Sequence, residues 1–145
     1  EKEILLWDGY CPIHNSITQQ DVLRAKAQHP SAKLAMHPEC PPEALQHADM
    51  IGATSAIIDY ALQNEQEDIL FGTECGVYND LIQKYPRRHF YQLRGDKLIC
   101  PDMKTTSLQD VYMAITGAGG EEIVLEEPLR KAAKRSLDNM LKYGG

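Results

Sequence analysis

No stretch of this sequence stays apolar for eighteen residues, which removes a membrane-spanning helix from consideration. The opening Glu1-Lys2-Glu3 lacks the basic-then-apolar pattern of a secretory signal, and no initiator Met is present. Processing, truncation or an incomplete chain would each account for that start. Positive charge is not in excess: 15 Lys and Arg stand against 21 Asp and Glu, a net charge of −6. Nucleic-acid phosphates require a basic surface, so nucleic acid is excluded as the main partner. The one basic cluster, Lys131 to Arg135, reads as a solvated helix face. Cysteines are few: Cys11, Cys40, Cys75 and Cys100. In a chain without a secretory signal and large enough to build a core, they are expected to be metal-bound or simply buried, not paired in disulfides.

What is present is an average globular composition, 43% hydrophobic and 25% charged over 145 residues, enough for one domain or parts of two. The run Ile4-Leu5-Leu6-Trp7 predicts a short buried strand. Asn15 or Ser16 is expected to cap a helix to about His29. Lys33–Met36 predicts a strand, and Pro41-Pro42 opens a helix to about Ala48. A strand at Met50–Gly52, a helix from Thr54 or Ser55 with Ile57, Ile58, Ala61 and Leu62 on one face, and a strand at Ile69–Gly72 follow. Then come a helix at Cys75–Lys84, a strand at His89–Leu93 and a helix at Ser107–Thr116. A short extended piece is expected near Glu122–Val124, and a last helix from Glu127-Pro128 carries Leu129, Leu137, Met140 and Leu141 on its apolar stripe. Strands and helices alternate without a hairpin signal, which predicts an α/β fold: a short parallel sheet between helices, in three αβα layers. The expected division is residues 1–30 as the end of a preceding αβα domain with its connecting helix, 31–105 as an αβα domain, and 106–145 as a helical segment packing on another domain.

In such folds chemistry gathers where strand carboxyl ends meet helix amino ends. Three junctions stand out: Met36-His37-Pro38-Glu39-Cys40-Pro41-Pro42, Ile51-Gly52-Ala53-Thr54-Ser55 and Phe71-Gly72-Thr73-Glu74-Cys75-Gly76. His37 and Glu39, two apart on a strand end, fall on one face and could grip a polar substrate and move protons. A surface His beside a helix-capping Glu would have the same sequence. Thr54 is either a plain N-cap or part of an anion-binding helix start. Cys11 and Cys100, each followed by proline, sit in loops where a thiolate can reach a metal. Cys40 and Cys75 sit at helix starts, where the dipole is expected to lower a thiol pKa. The pairs Cys11-x-x-His14 and His37-x-x-Cys40 also have the spacing of two halves of a zinc site. A structural zinc, or a non-catalytic metal- or small-ligand-binding module, therefore stands as an alternative to an enzyme.

Taken in order, Gly9-Tyr10-Cys11-Pro12-Ile13-His14, Met36-His37-Pro38-Glu39-Cys40-Pro41, Gly52-Ala53-Thr54-Ser55, Gly72-Thr73-Glu74-Cys75-Gly76 and Cys100-Pro101-Asp102-Met103-Lys104 resemble the quinolinate synthases, from about Trp7 to Leu108. The resemblance implies related αβα domains around one 4Fe–4S cluster held by three cysteines, with one iron left open. It implies a cytoplasmic transferase of NAD (pyridine nucleotide) biosynthesis. That enzyme condenses iminoaspartate with dihydroxyacetone phosphate, losing phosphate and two waters, with the iminoaspartate-producing L-aspartate oxidase as a candidate partner. On this sequence the cluster ligands become Cys11 and Cys100, the third lying outside the chain, while Cys40 and Cys75 fall on no ligand position. The substrate-binding residues become His37, Pro38, Glu39 and Thr54, with His37 and Glu39 catalytic, and His14 and Met103 near the cluster. Since the other active-site residues would lie in a missing N-terminal part, the resemblance implies that this chain alone is inactive.

Overall fold

The computed structural model describes residues 3–65, 67–95 and 98–144; Glu1, Lys2 and Gly145, the outermost residues of the expected domains, lie outside the described residues. It divides into two compact units, Glu1–Met103 and Lys104–Gly145.

The first unit begins with two helices, α1 (Pro12–Asn15) and α2 (Gln19–Gln28). Four strands follow: β1 (Lys33–Met36), β2 (Met50–Ile51), β3 (Ile69–Gly72) and β4 (Phe90–Gln92). The helices α3 (Pro42–Leu45), α4 (Thr54–Gln63) and α5 (Cys75–Lys84) connect them. All pairings are parallel and the spatial order is β2-β1-β3-β4. Parallel strands need helical crossovers, and those crossovers bury both sheet faces. The strands accordingly read as continuous apolar runs whose alternate residues enter two cores. Leu34, Met36 and Leu70 pack with Val22, Ala25 and Ala44 on one face; Ala35, Ile69 and Phe71 pack with Ile57, Ala61 and Leu81 on the other. Each fully buried large side chain contributes roughly 1.5–3 kcal/mol. The result is the expected three-layer αβα arrangement. Because the strand order runs outward from β1 to β2 and then returns to β3 on the other side of β1, the neighbours β1 and β3 flank the topological switch point, where a crevice forms at strand carboxyl ends.

Several local expectations change. Residues 4–7 form no strand, and Trp7 is 91% exposed; a four-residue apolar run does not by itself specify a partner. Neither Asn15 nor Ser16 caps the long helix. Pro12 starts a separate turn, the Ser16 hydroxyl closes that turn by donating to the Ile13 carbonyl at 2.7 Å, and Thr18 caps α2 in a reciprocal capping box with Asp21. Residues 3–30 lie in the same compact unit as the sheet, with Ile17, Val22 and Ala25 in its core. Residues 121–126 carry no strand.

Asp49 ties the edge of the sheet together. Its carboxylate accepts from the Leu34 N–H at 2.8 Å and from Lys26 Nζ at 3.3 Å, while its own N–H donates to the Leu34 carbonyl at 2.8 Å. Burial pushes its carboxyl pKa up, but the Leu34 N–H and Lys26 together outweigh burial and hold it below the ordinary value. Asp49→Ala leaves the buried Leu34 N–H unpaired and is expected to cost about 1–3 kcal/mol, read as a lower urea midpoint. Since the folded-state pKa is the lower one, this contribution is present above the unfolded carboxyl pKa and is lost as pH falls through the folded value. The pH dependence of stability below about pH 4 should therefore flatten in the variant.

In the second unit, Ser107 caps α6 (Leu108–Thr116) in a capping box with Asp110, and Gly117 closes it at φ 68°, the left-handed region that suits glycine. Helix α7 (Glu127–Gly144) starts with proline in its first turn and carries exposed pairs, Arg130 on Glu127 at 2.7 Å and Lys134 on Asp138 at 2.7 Å. The Lys131–Arg135 cluster is solvent-exposed, as a charged helix face requires.

Candidate functional site

The carboxyl ends of β1 and β3 hold the chemistry. β1 ends at Met36 and releases His37, Pro38 and Glu39; β3 ends at Gly72 and releases Thr73 and Glu74. The two ends are joined: His37 N–H donates to the Gly72 carbonyl at 3.2 Å. They also pack closely, since a side-chain carbon on Gly72 would lie 2.7 Å from Met36 Cγ.

Helix α1 brings His14 over this crevice. Its Nδ1 lies 3.0 Å from Glu39 Oε2 and its Nε2 lies 3.1 Å from Thr73 Oγ1. A carboxylate only accepts, so Nδ1 carries the proton and, in the neutral ring, Nε2 accepts from the Thr73 hydroxyl. His14 is only 7% exposed, so these two contacts fix its ring. His37 stacks on it, centroids 4.1 Å apart and planes 6° from parallel. Burial lowers the His37 pKa, the neighbouring His14 lowers it further, and Glu39 only partly opposes them. Near neutral pH His37 is therefore uncharged. Its Nδ1 accepts from the Glu39 N–H at 3.3 Å, which leaves the proton on Nε2. The 3.4 Å approach of His37 Nδ1 to Glu39 Oε2 is thus a meeting of two acceptors, not an ion pair. Glu39 is half-exposed, and among the described residues its Oε1 has no protein partner.

Thr54 is not the N-cap. Ala53 occupies that position without a side-chain bond, and Thr54 is the first residue of α4, exposed, with its hydroxyl not engaged as a cap. Thr54, His14, Thr73, Glu74 and Met103 line one cavity of about 260 Å³. A larger open hollow of about 650 Å³ lies at Lys84–Arg88, away from these groups. There Arg88 donates to the Ala61 and Asn64 carbonyls and closes the end of α4.

The four cysteines divide in two. Cys40 and Cys75 are buried. The Cys40 thiol donates to the Gly72 carbonyl at 3.6 Å and the Cys75 thiol donates to Glu74 Oε1 at 3.2 Å. Burial pushes the Cys40 pKa up to about 12, so the expected lowering at a helix start does not occur. Helix α3 has four residues and its dipole is correspondingly weak. Cys11 and Cys100 are half-buried. Cys11 precedes α1, and its ligand atom lies within 4.8 Å of those of His14 and Glu39. Among the described residues this Cys11–His14–Glu39 group is the one whose donors close around a single point. It differs from the zinc set of Cys11, His14, His37 and Cys40: Glu39 takes the third place, and the Cys40 thiol is turned to a backbone carbonyl. The Cys100 backbone N–H donates to Glu74 Oε1 at 3.4 Å. Thr73 and Glu74 were not singled out from the sequence; only their junction was, because a residue that contacts groups 59 and 26 positions away carries no local signal.

A family model described as quinolinate synthetase A protein matches residues 1–142. A quinolinate synthase of Caldicellulosiruptor bescii is 40% identical over 144 residues, 99% of this chain and 47% of that protein. One from Clostridium acetobutylicum is 41% identical over 145 residues, 99% and 47% respectively. One from Clostridioides difficile is 37% identical over 142 residues, 98% and 46%. The chain therefore spans about half the length of the curated relatives it matches. With nearly its whole length covered and its junction motifs gathered at one sheet edge, the chain belongs to the quinolinate synthetase A family.

Proposed function

We propose that the chain supplies the C-terminal portion of a quinolinate synthase, which condenses iminoaspartate with dihydroxyacetone phosphate to quinolinate in NAD biosynthesis. The carrying observation is the meeting of His14, His37, Glu39 and Thr73 at the switch point between β1 and β3, with Cys11 alongside. A 4Fe–4S cluster fits the donor set. Cys11 and Cys100 are half-buried, whereas Cys40 and Cys75 are buried with their thiols already bonded. Cys11 and Cys100 would each give one thiolate, and a third would come from outside this chain. When bound, such a cluster supplies an iron with an open coordination place that acts as a Lewis acid.

The chain's own residues handle protons and grip. Forming the new carbon–carbon bond requires a proton to leave carbon, and each dehydration requires one to reach a departing hydroxyl. Glu39, half-exposed and with Oε1 uncommitted, takes both tasks. His14 holds Glu39 Oε2 and is itself fixed by Thr73, so the carboxylate is oriented before substrate arrives. His37, neutral with its proton on Nε2, donates a hydrogen bond to a substrate carboxylate. Pro38 stiffens the turn between His37 and Glu39. Thr54, with an uncapped hydroxyl at the first turn of α4, binds a second carboxylate beside the helix N–H groups. Since only part of the relatives' length is present, this chain alone is expected to be inactive. The cytoplasm is the proposed compartment, and L-aspartate oxidase the proposed supplier of iminoaspartate.

The test is anaerobic purification of the intact protein followed by assay of quinolinate formation. A brown protein with iron and sulfide in equal amounts, active on the two substrates, is the expected result. A colourless protein holding one zinc, or a metal-free protein that binds ligand without turnover, would refute it.

A further inference from the structure

We infer that Glu74 is a positioning residue for Cys100, holding the loop that carries this thiol against the start of α5; the inference rests on the proposal that Cys100 is a cluster ligand. Glu74 is 7% exposed. An acidic side chain so deeply buried is rare unless its oxygens are used. Here they are used on two segments at once. Oε2 accepts from the Gly76 N–H at 2.6 Å, which caps α5. Oε1 accepts from the Cys75 thiol at 3.2 Å and from the Cys100 N–H at 3.4 Å.

A helix cap alone needs neither burial nor the second oxygen. The loop is also bound where it arrives: the Cys75 N–H donates to the Leu98 carbonyl at 2.8 Å, and Leu98 is fully buried in the same core as Met36 and Cys40. Leu98 therefore anchors the backbone two residues before the thiol, and Glu74 anchors the thiol's own residue. Thr73, the residue before Glu74, fixes His14, which sits three residues after Cys11. The turn after β3 thus reaches the neighbourhoods of both half-buried cysteines: Thr73 through an imidazole on one side, Glu74 through a backbone N–H on the other. Groups that orient a metal ligand from behind typically change metal affinity 10–100-fold when removed.

The test uses the intact protein with Glu74→Gln and Glu74→Ala. Gln keeps the volume but has one accepting oxygen, so it cannot cap α5 and hold Cys100 with full strength; it also serves if Ala does not fold. Two quantities are read: amide hydrogen exchange at Cys100 in the cluster-free protein, and the rate at which the loaded protein surrenders iron to a chelator. Exchange at Cys100 is expected to rise about 10-fold or more in Ala, with Gln between Ala and the parent, and iron to be lost 10–100-fold faster. If exchange rises only at residues 75–78 while Cys100 is unchanged, Glu74 is a helix cap and the inference fails. It fails equally if iron is lost at the parent rate. Cys100→Ser separates the two ideas. An iron-free Cys100→Ser protein beside an unaffected Glu74→Ala protein overturns the role of Glu74 alone, whereas a fully loaded Cys100→Ser protein overturns the ligand assignment and the role of Glu74 with it.

Discussion

Cys100→Ser is expected to leave the intact protein with less than about a tenth of its iron, while Cys75→Ser retains it, because losing a direct ligand costs at least as much affinity as losing an outer group. The two residues differ in what already occupies their sulfurs. Cys75 is buried at the first turn of α5 with its thiol donating to Glu74, and a serine hydroxyl can make the same donation. Cys100 is half-buried in a loop whose backbone, not its sulfur, is engaged by Glu74. Cys11→Ser should behave as Cys100→Ser does, and Cys40→Ser as Cys75→Ser does, with some loss of stability. The measurement is iron and sulfide per chain after anaerobic purification, with the visible absorption of the cluster as a second record. Iron retained by Cys100→Ser and lost by Cys75→Ser would invert the assignment.

Local sequence does not sort these cysteines by itself: proline follows Cys40 as well as Cys11 and Cys100, and it is the resemblance to the quinolinate synthases that singles out Cys11 and Cys100. Cys75 does carry a local signal, since it opens a periodic apolar run that becomes α5. Such patterning also made the alternation of strands and helices legible, and with it the three strand-to-helix junctions, but not that β1 and β3 lie side by side. What could not be read was anything decided by contact across the fold. Ile4–Trp7 has a strand's composition, yet among the described residues it pairs with no strand, and it is exposed. The choice among Asn15, Ser16 and Thr18 as the cap of α2 turned on where Pro12 began an extra turn. His14 looked like half of a zinc pair, yet it serves Glu39 and Thr73, 25 and 59 residues away. The pKa of Cys40 likewise followed burial under the Gly72 carbonyl and not its place before a helix.

Glu39→Gln is expected to keep the iron and lower turnover by about 100-fold or more, the usual range for an acid–base group. The amide is nearly isosteric, and its oxygen can still accept from His14 Nδ1, so the stack of His14 on His37 should survive. The side chain is half-exposed, so exchanging a carboxylate for an amide there desolvates little and should change stability by less than about 0.5 kcal/mol. What is lost is the ability of Oε1 to take up and return a proton. Iron content makes the experiment decisive, because Glu39 also stands within ligand distance of Cys11 and His14. Were the carboxylate a metal ligand, iron or zinc would leave with the substitution and turnover would fall for that reason. Full iron with low turnover assigns Glu39 to proton transfer; full iron with parental turnover removes it from the chemistry and leaves the imidazoles to carry it.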